Sequence, residues 1–395
     1  VVKLDAASDT HLPGLKRLRI AFVTERFGQR FGGAEAYGVC LMQALSQDHD
    51  ITVIAHAYDA HCPLQLPWRA IALPKGLPNW LRVLWFAVRA HRATRHGFDL
   101  VHSHVNGWCG DVDVMHVSPV RFNWRVRPLP WIKRALSRVS PRIQAYLALE
   151  AVRVKPRRAH RVVAVSDLTA EQLRQAYGPT RDFPVITPGV APPAPQAPQW
   201  RTAVRQQLAV RDTDMVCLMV ARDPLRKGLA TVLQALDQLP DDTVFVLVGC
   251  DAALRAWFAR TPHAHTLQHR VRLLDAAADV RPYYAAADCC LHPTLNDSFG
   301  MVPLEAMCYG LPVILSPMPW CGFAQYVQAG RDAMVLDHPE HAAQLADFIQ
   351  QLRTQPAIRQ TLGQHARRLA QTHHWTRVAQ RYQALYAQIL AERKT

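Results

Sequence analysis

The sequence lacks the features that mark a secreted or membrane-spanning chain. No apolar run approaches the ~20 residues that a spanning helix needs. The opening VVKLDAASDTHLPGLKRLR has no apolar core of the kind a secretory signal carries. Nine cysteines include no CxxC pair, and Cys217, Cys250, Cys289 and Cys290 fall in apparent core strands. Such an odd, unspaced set reads as reduced thiols in a cytoplasm, not as a disulfide framework. A GxSxG elbow, an HExxH pair and a Walker loop are all missing. Acid is scarce: 31 Asp and Glu stand against 46 Lys and Arg, for a formal net charge of +15. The imbalance is uneven. Residues 1–190 carry 26 basic and 14 acidic side chains, and the remainder carries 20 and 17. The first half therefore points to an anionic partner: nucleic acid, an anionic membrane surface or a phosphorylated acceptor. The alternative is a basic bias spread over solvated faces.

At 395 residues, 49% of them hydrophobic, the chain is long enough for two domains, each with its own core. Residues 19–24 (RIAFVT) read as a buried strand, 34–45 as a helix and 51–55 as a second strand. Segments 100–103, 112–116 and 161–165 read as further strands, with a helix from Asp167. Residues 80–96 have helical periodicity, with Leu81, Leu84, Trp85 and Val88 on one face and Arg82, Arg89, Arg92 and Arg95 mostly away from it. Strands interleaved with helices predict a parallel α/β sheet. Proline clusters in 186–200 (ITPGVAPPAPQAPQW), which reads as a stiff linker. The pattern then restarts, with strands at 215–220, 244–248, 271–274, 289–292 and 313–315, and a tail helical throughout from about Pro339. Two such domains leave a cleft between them, with strand C-termini facing it.

The densest signal is HPTLNDSFGMVPLEAMCYGLP, His292–Pro312. It reads as a strand end, a polar loop, a glycine and a helix bearing a carboxylate. Seven residues separate Asp297 from Glu305. Gly300 lets the backbone approach a ligand closely, and Pro303 suits the first turn of a helix. The free amides around Phe299, Gly300 and Met301 then point outward with the positive end of the helix dipole. That is an anion site, most naturally for phosphate. Carboxylates on either side add acceptors for sugar hydroxyls, and phosphate with hydroxyls suggests a nucleotide sugar.

An ordered set of motifs resembles glycosyltransferase family 4. It comprises the GGAE loop Gly32–Glu35, FDLVHSH at Phe98–His104, VMHVSP at Val114–Pro119, VVAVS at Val162–Ser166 and VARDPLRKG at Val220–Gly228. It closes with the block Tyr283–Ile314 and HHWTRVAQRYQALY at His373–Tyr386. Two departures stand out: Asp297 replaces the family's usual Glu, and Pro188-Gly189-Val190 replaces its Asn-Gly-Val. The resemblance implies retaining enzymes of the GT-B fold, two Rossmann-like domains facing across a cleft, with the last helix crossing back to the first domain. It implies domains at 1–190 for the acceptor and 191–372 for the nucleotide sugar, with a closing helix at 373–395. It also implies a sugar donor carried on a nucleotide diphosphate, a UDP-sugar first, with no cofactor and no metal.

A departing diphosphate needs cations, and Arg222 and Lys227 are the candidates. With the Phe299–Met301 amides they would form a metal-free clamp. Glu305 would accept hydrogen bonds from the nucleotide ribose, unless it is an exposed helix acid. Asp297 would face the donor sugar and stabilise developing positive charge, unless it caps the following helix. The resemblance implies that His116 contacts the donor sugar. Gly32 and Gly33 would let the first loop approach the donor, and Glu35 would start the next helix.

Two other patterns carry competing readings. Asp111-Val112-Asp113 has the form of a metal-binding DxD but leads into a strand. His102 and His104 share a strand face and with His116 form a candidate zinc set. The stretch 121–142 (RFNWRVRPLPWIKRALSRVSPR) carries seven Lys and Arg and no acid, with Phe122, Trp124 and Trp131 among them. That composition fits an interfacial membrane segment or an anionic-acceptor surface built on Arg121, Trp124, Arg125, Arg127, Trp131, Lys133 and Arg134. The expected acceptor is lipopolysaccharide core or a lipid-linked saccharide at the inner face of the plasma membrane. The alternatives are a soluble storage- or small-molecule glycosyltransferase and a basic nucleic-acid-binding module, although no nucleic-acid-reading motif is present.

Overall fold

The computed structural model describes residues 16–395, so most of the opening stretch read as lacking a signal core lies outside the described residues. Two six-stranded sheets form the framework, and every neighbouring pair within them is parallel. The first contains Arg19–Val23, Asp50–Ala55, Trp68–Ala70, Leu100–Ser103, Val112–Met115 and Arg161–Ala164. The second contains Met215–Val220, Thr243–Val248, Val271–Leu274, Cys289–His292, Val313–Leu315 and Met334–Val335. Numbered along the chain, both sheets have the spatial order 3-2-1-4-5-6. Central parallel strands are covered on both faces and so need apolar residues at nearly every position. TVFVLV at Thr243–Val248 meets that need and is buried throughout.

This order fixes where a ligand can sit. It reverses between the first and fourth strands, and the crevice beyond their C-terminal ends is the binding position of such sheets. The crevices open after Val23 and Ser103 in the first domain and after Val220 and His292 in the second. Arg222 of the second domain reaches the carbonyls of Arg30 and Phe31 in the first, so the two crevices face each other.

The chain crosses between the domains twice, and the crossings pair: the Val190 amide donates to the His373 carbonyl at 2.7 Å. Gly189 is needed there, because a Cβ would come within 2.8 Å of the Trp375 side chain. The closing helix, Trp375–Lys394, then packs on the first domain as the resemblance implied. Its Tyr382 and Tyr386 are fully buried, the Tyr37 and Tyr382 hydroxyls lie 2.8 Å apart, and Arg393 pairs with Asp111.

Several local expectations change. The linker read over 186–200 already contains the start of helix Ala197–Gln207, with proline in its first turn. Arg201 and Arg205 of that helix both bond Asp288 and fasten it to the second domain. The tail is helical as read, in three helices: Ala342–Thr354, Pro356–Gln371 and Trp375–Lys394. Helix Asn79–Thr94 turns a different face inward. Phe86, Ala87, Ala90 and Thr94 are buried, while Trp85 and Val88 are exposed. Phe86 and Ala90, one turn apart, share a core with Val23, Ile54 and Val101 of the sheet. Trp85 is drawn aside by its indole bond to the Ala72 carbonyl at 3.1 Å. Periodicity alone favoured the larger residues for the core, and sheet contact selected the narrower stripe.

Candidate active site

In the second domain, two loops lie backbone against backbone at the switch point. Gly228 has a left-handed φ of 89°, and a Cβ there would stand 2.0 Å from the Pro293 carbonyl oxygen. Only glycine fits that position without strain. The loop carrying Arg222 and Lys227 can therefore press against the loop that leads to Gly300, and the Leu295 amide donates to the Arg226 carbonyl at 2.9 Å.

Gly300, at φ 116°, precedes helix Met301–Cys308, and no side chain caps that helix. The amides around Phe299–Met301 are left for a ligand, with the dipole behind them. The Phe299 ring itself is buried against Phe323, so its contribution to a ligand is backbone. Asp297 is not the helix cap. Its Oδ2 accepts from Lys227 Nζ and from His292 Nε2, the latter at 2.9 Å. Burial alone would push this carboxyl up, but the His292 bond and the Lys227 charge outweigh it and hold Asp297 well below the usual carboxylate range. Two expected site residues thus form an ion pair. Asp297 anchors Lys227, and Oδ1 is the oxygen left without a protein donor among the described residues.

Glu305 lies one turn into the same helix and is half-buried, not an exposed helix acid. The Tyr284 hydroxyl donates to its Oε2 at 2.8 Å. Burial raises its pKa, and the tyrosine bond offsets part of that rise.

From the first domain comes the glycine loop. The Gly32 carbonyl accepts from the Ala36 amide at 2.8 Å and starts helix Gly33–Leu45. A Cβ on Gly32 would lie 3.6 Å from Arg222 Nη1, so the loop and the arginine meet across the cleft. Gly33 faces open space, and nothing in the protein requires glycine there. Glu35 stands in the first helical turn and pairs with Arg26 at 2.8 Å. Two further bridges escaped the sequence. Ser166 Oγ donates to the Ser298 carbonyl, and the Tyr326 hydroxyl donates to Asp167 Oδ2 at 2.7 Å. These partners are 132 and 159 residues apart, beyond the reach of local pattern.

His116 follows strand Val112–Met115 and sits among aromatic rings, 4.8 Å from Tyr37 and 4.4 Å from His104 between centroids. Burial, with the Arg153 charge second, pushes it down to about 3, so the imidazole is neutral near pH 7. Its Nε2 is buried and has no protein partner. The candidate zinc histidines do cluster, but they bond one another: His102 Nε2 and His104 Nε2 are 3.1 Å apart, and His102 Nδ1 meets the Tyr386 hydroxyl at 2.6 Å. Those contacts engage both nitrogens of His102 and Nε2 of His104. Among the described residues, no group of three His, Cys, Asp or Glu could hold a metal ion. The DxD pair is also taken up by the protein. Asp111 accepts from the Val101 amide at 2.7 Å and pairs with Arg393, and buried Asp113 bonds His160 at 2.9 Å.

The basic aromatic stretch folds as a helical turn over Phe122–Val126 followed by helix Trp131–Val139. Two of its arginines hold the stretch together and do not project freely. Arg121 Nε donates to the Ala176 carbonyl at 2.7 Å, and Arg125 Nη1 donates to the buried Ser137 Oγ at 2.6 Å. Trp124 is half-buried. Trp131 is 78% exposed, and Ile132, Leu136 and Val139 are exposed on the same helix, with Arg127, Lys133 and Arg134 exposed around them. Arg121 is exposed even with its Nε engaged, Trp124 and Arg125 are half-buried, and three aliphatic residues join the exposed set. Among the described residues, no helix is long and apolar enough to cross a membrane.

Comparison with known proteins agrees with the fold. The family described as Glycosyltransferase Family 4 matches residues 31–192, and that described as Glycosyl transferases group 1 matches residues 201–369. The chain is 28% identical over 352 residues to the lipopolysaccharide glucosyltransferase WaaG of Escherichia coli (strain K12), covering 87% of this chain and 91% of that one. It is 28% identical over 345 residues to a D-inositol 3-phosphate glycosyltransferase of Kribbella flavida, covering 80% and 76%. In fold it matches the crystal structure of WaaG with a TM-score of 0.77 at 22% identity, over 92% of this chain and 98% of that one. It also matches Anabaena Alr3699/HepE, solved in complex with UDP and glucose, with a TM-score of 0.71 at 20% identity over 94% and 100%.

Proposed function

Because the chain belongs to glycosyltransferase family 4, with a GT-B fold, we propose that it transfers a sugar from a nucleotide diphosphate to an envelope acceptor, with retention of configuration and without a metal ion. The donor class is a UDP-sugar, and the acceptor is lipopolysaccharide core or a lipid-linked saccharide at the inner face of the plasma membrane. The observation that carries this reading is the uncapped start of helix Met301–Cys308 in the switch-point crevice, with Lys227 anchored beside it and Glu305 one turn on. WaaG, by its name, glucosylates lipopolysaccharide, and HepE was solved with UDP and glucose, which supports the acceptor and donor classes.

The chemistry follows from charge. Breaking the bond from the sugar carbon to the diphosphate oxygen leaves negative charge on the departing group and positive charge on the sugar. The helix amides and Lys227 receive the first, and Arg222 adds a forked donor on leaving the Arg30 and Phe31 carbonyls. Asp297, ionised and beside Lys227, keeps that ammonium in register and places negative charge near the sugar. Glu305 accepts from ribose hydroxyls. Neutral His116 offers Nε2 to a sugar hydroxyl and adds no positive charge to an already cationic carbon.

Thermal melts with UDP, GDP and ADP test the donor side. UDP should stabilise the protein most, by roughly 2.7 kcal/mol at 100-fold its Kd. Turnover of the UDP-sugar should continue in EDTA. If chelation stops turnover and Mn or Mg restores it, the metal-free clamp is wrong. A small phosphorylated acceptor is the second reading, favoured by the likeness to D-inositol 3-phosphate glycosyltransferases.

A further inference from the structure

One helix holds the His116 strand end from both sides. Helix Pro141–Val154 carries Glu150 and Arg153, three positions apart and therefore neighbours on one face. Both are buried, Glu150 at 1% exposure. Arg153 Nη2 donates to the Val114 carbonyl at 2.6 Å, two residues before His116, and Nη1 donates to Asn106 Oδ1 at 2.9 Å. Glu150 acts on the other side. Its Oε2 accepts from the Val120 amide at 2.5 Å and its Oε1 from the Arg121 amide at 2.8 Å, four and five residues after His116. The Tyr177 hydroxyl adds a third bond to Oε1 at 2.8 Å.

A buried carboxylate is costly unless something neutralises it. Among the described residues, Glu150 has no cation within ion-pair distance. It is held by two successive amides at the start of a helical turn, an arrangement that suits an anion. No acid occurs between Asp113 and Glu150 in the sequence, so nothing nearby along the chain duplicates it.

We propose that Glu150 and Arg153 are positioning residues for the transfer reaction: they bracket the strand end that carries His116 and fix where its imidazole stands in the cleft. This rests on the reading of His116 as a donor-sugar contact. The exposed arm helix, Trp131–Val139, ends at Ser140, which is extended and caps the start of Pro141–Val154: its Oγ accepts from the Ile143 amide. The surface assigned to the acceptor is thus joined to the helix that holds the His116 turn through a single residue.

Glu150→Gln tests it. The carboxamide keeps the shape but turns an N–H₂ group toward one of the two amides. Turnover should fall at least tenfold, while the Kd for UDP stays within twofold of wild type. The ring resonances of labelled His116 should shift. Tyr177→Phe leaves both amide bonds and should keep turnover and the His116 signal near wild type. A Glu150→Gln protein with wild-type turnover and an unmoved His116 signal overturns the proposal. So does a loss of activity that tracks only the unfolded fraction. Should that variant not fold, Arg153→Lys reads the other side, because it keeps the charge and loses the fork to Val114 and Asn106. Unchanged turnover and His116 resonances there would equally overturn the proposal. If the wild type transfers no sugar from any donor, the functional reading fails, whereas the His116 resonances still judge the clamp.

Discussion

Glu305→Ala should weaken nucleotide binding by roughly 30- to 300-fold. Hydrogen bonds to a charged acceptor contribute about 1.5–3 kcal/mol each, and each 1.4 kcal/mol is tenfold in affinity. Two ribose hydroxyls on one carboxylate, less the cost of ordering them, give that range. The variant should still fold, because the Tyr284 hydroxyl is the one protein partner of that carboxylate among the described residues. Calorimetry on wild type and variant decides the matter, and an unchanged Kd removes Glu305 from the site. A pH dependence accompanies it. The ionised carboxylate is the form that accepts hydrogen bonds, and burial raises its pKa. Affinity for UDP should therefore begin to fall, as pH drops, above the pH at which a surface glutamate protonates. Tyr284→Phe removes a bond that lowers the pKa, so it should move that loss to still higher pH.

Reversing Arg127, Lys133 and Arg134 to Glu should abolish binding to anionic vesicles. Each basic side chain near an anionic surface contributes about 1 kcal/mol within a Debye length of ~8 Å. Losing three and replacing them with repulsion should cost at least 100-fold. Arg125 is left in place deliberately, because its bond to Ser137 holds the arm together and its loss would confuse binding with folding. Trp131→Ala should weaken the same binding without altering UDP affinity, since the ring is exposed on a first-domain helix and is not part of the loops that carry Lys227 and Gly300. Sedimentation with anionic vesicles at physiological salt is the measurement, with duplex DNA as the control. Equal sedimentation of variant and wild type sinks the membrane reading, and comparable binding of wild type to duplex would favour a nucleic-acid role.

The framework was readable because both domains write their sheets as apolar runs, and because the glycine–helix block at 283–314 is local in sequence. Its parts, a strand end, a free glycine and an acid on the next helix, follow one another in the chain and fold in that order. Long-range pairing was not readable. Lys227 and Asp297 are 70 residues apart, and each looked like an independent ligand for the donor. Nothing in the composition of the basic arm distinguishes Arg125, which is tied to Ser137, from Arg127, which is exposed. His102 and His104 looked available because Tyr386, the partner of His102, arrives from a helix 284 residues further along. Glu150 went unread for the same reason: on its helix it is one acid among apolar neighbours, and its role exists only once the 119–121 loop folds onto it.

The central claim is that this cleft holds a nucleotide diphosphate with the chain's own cations and amides. Calorimetric titration of UDP in EDTA, into wild type and into Lys227→Met, tests it most directly. The account predicts saturable binding to wild type in the chelator and affinity at least 30-fold weaker in the variant, about 2 kcal/mol. Absence of UDP binding to wild type in EDTA, or equal binding by both proteins, would contradict it.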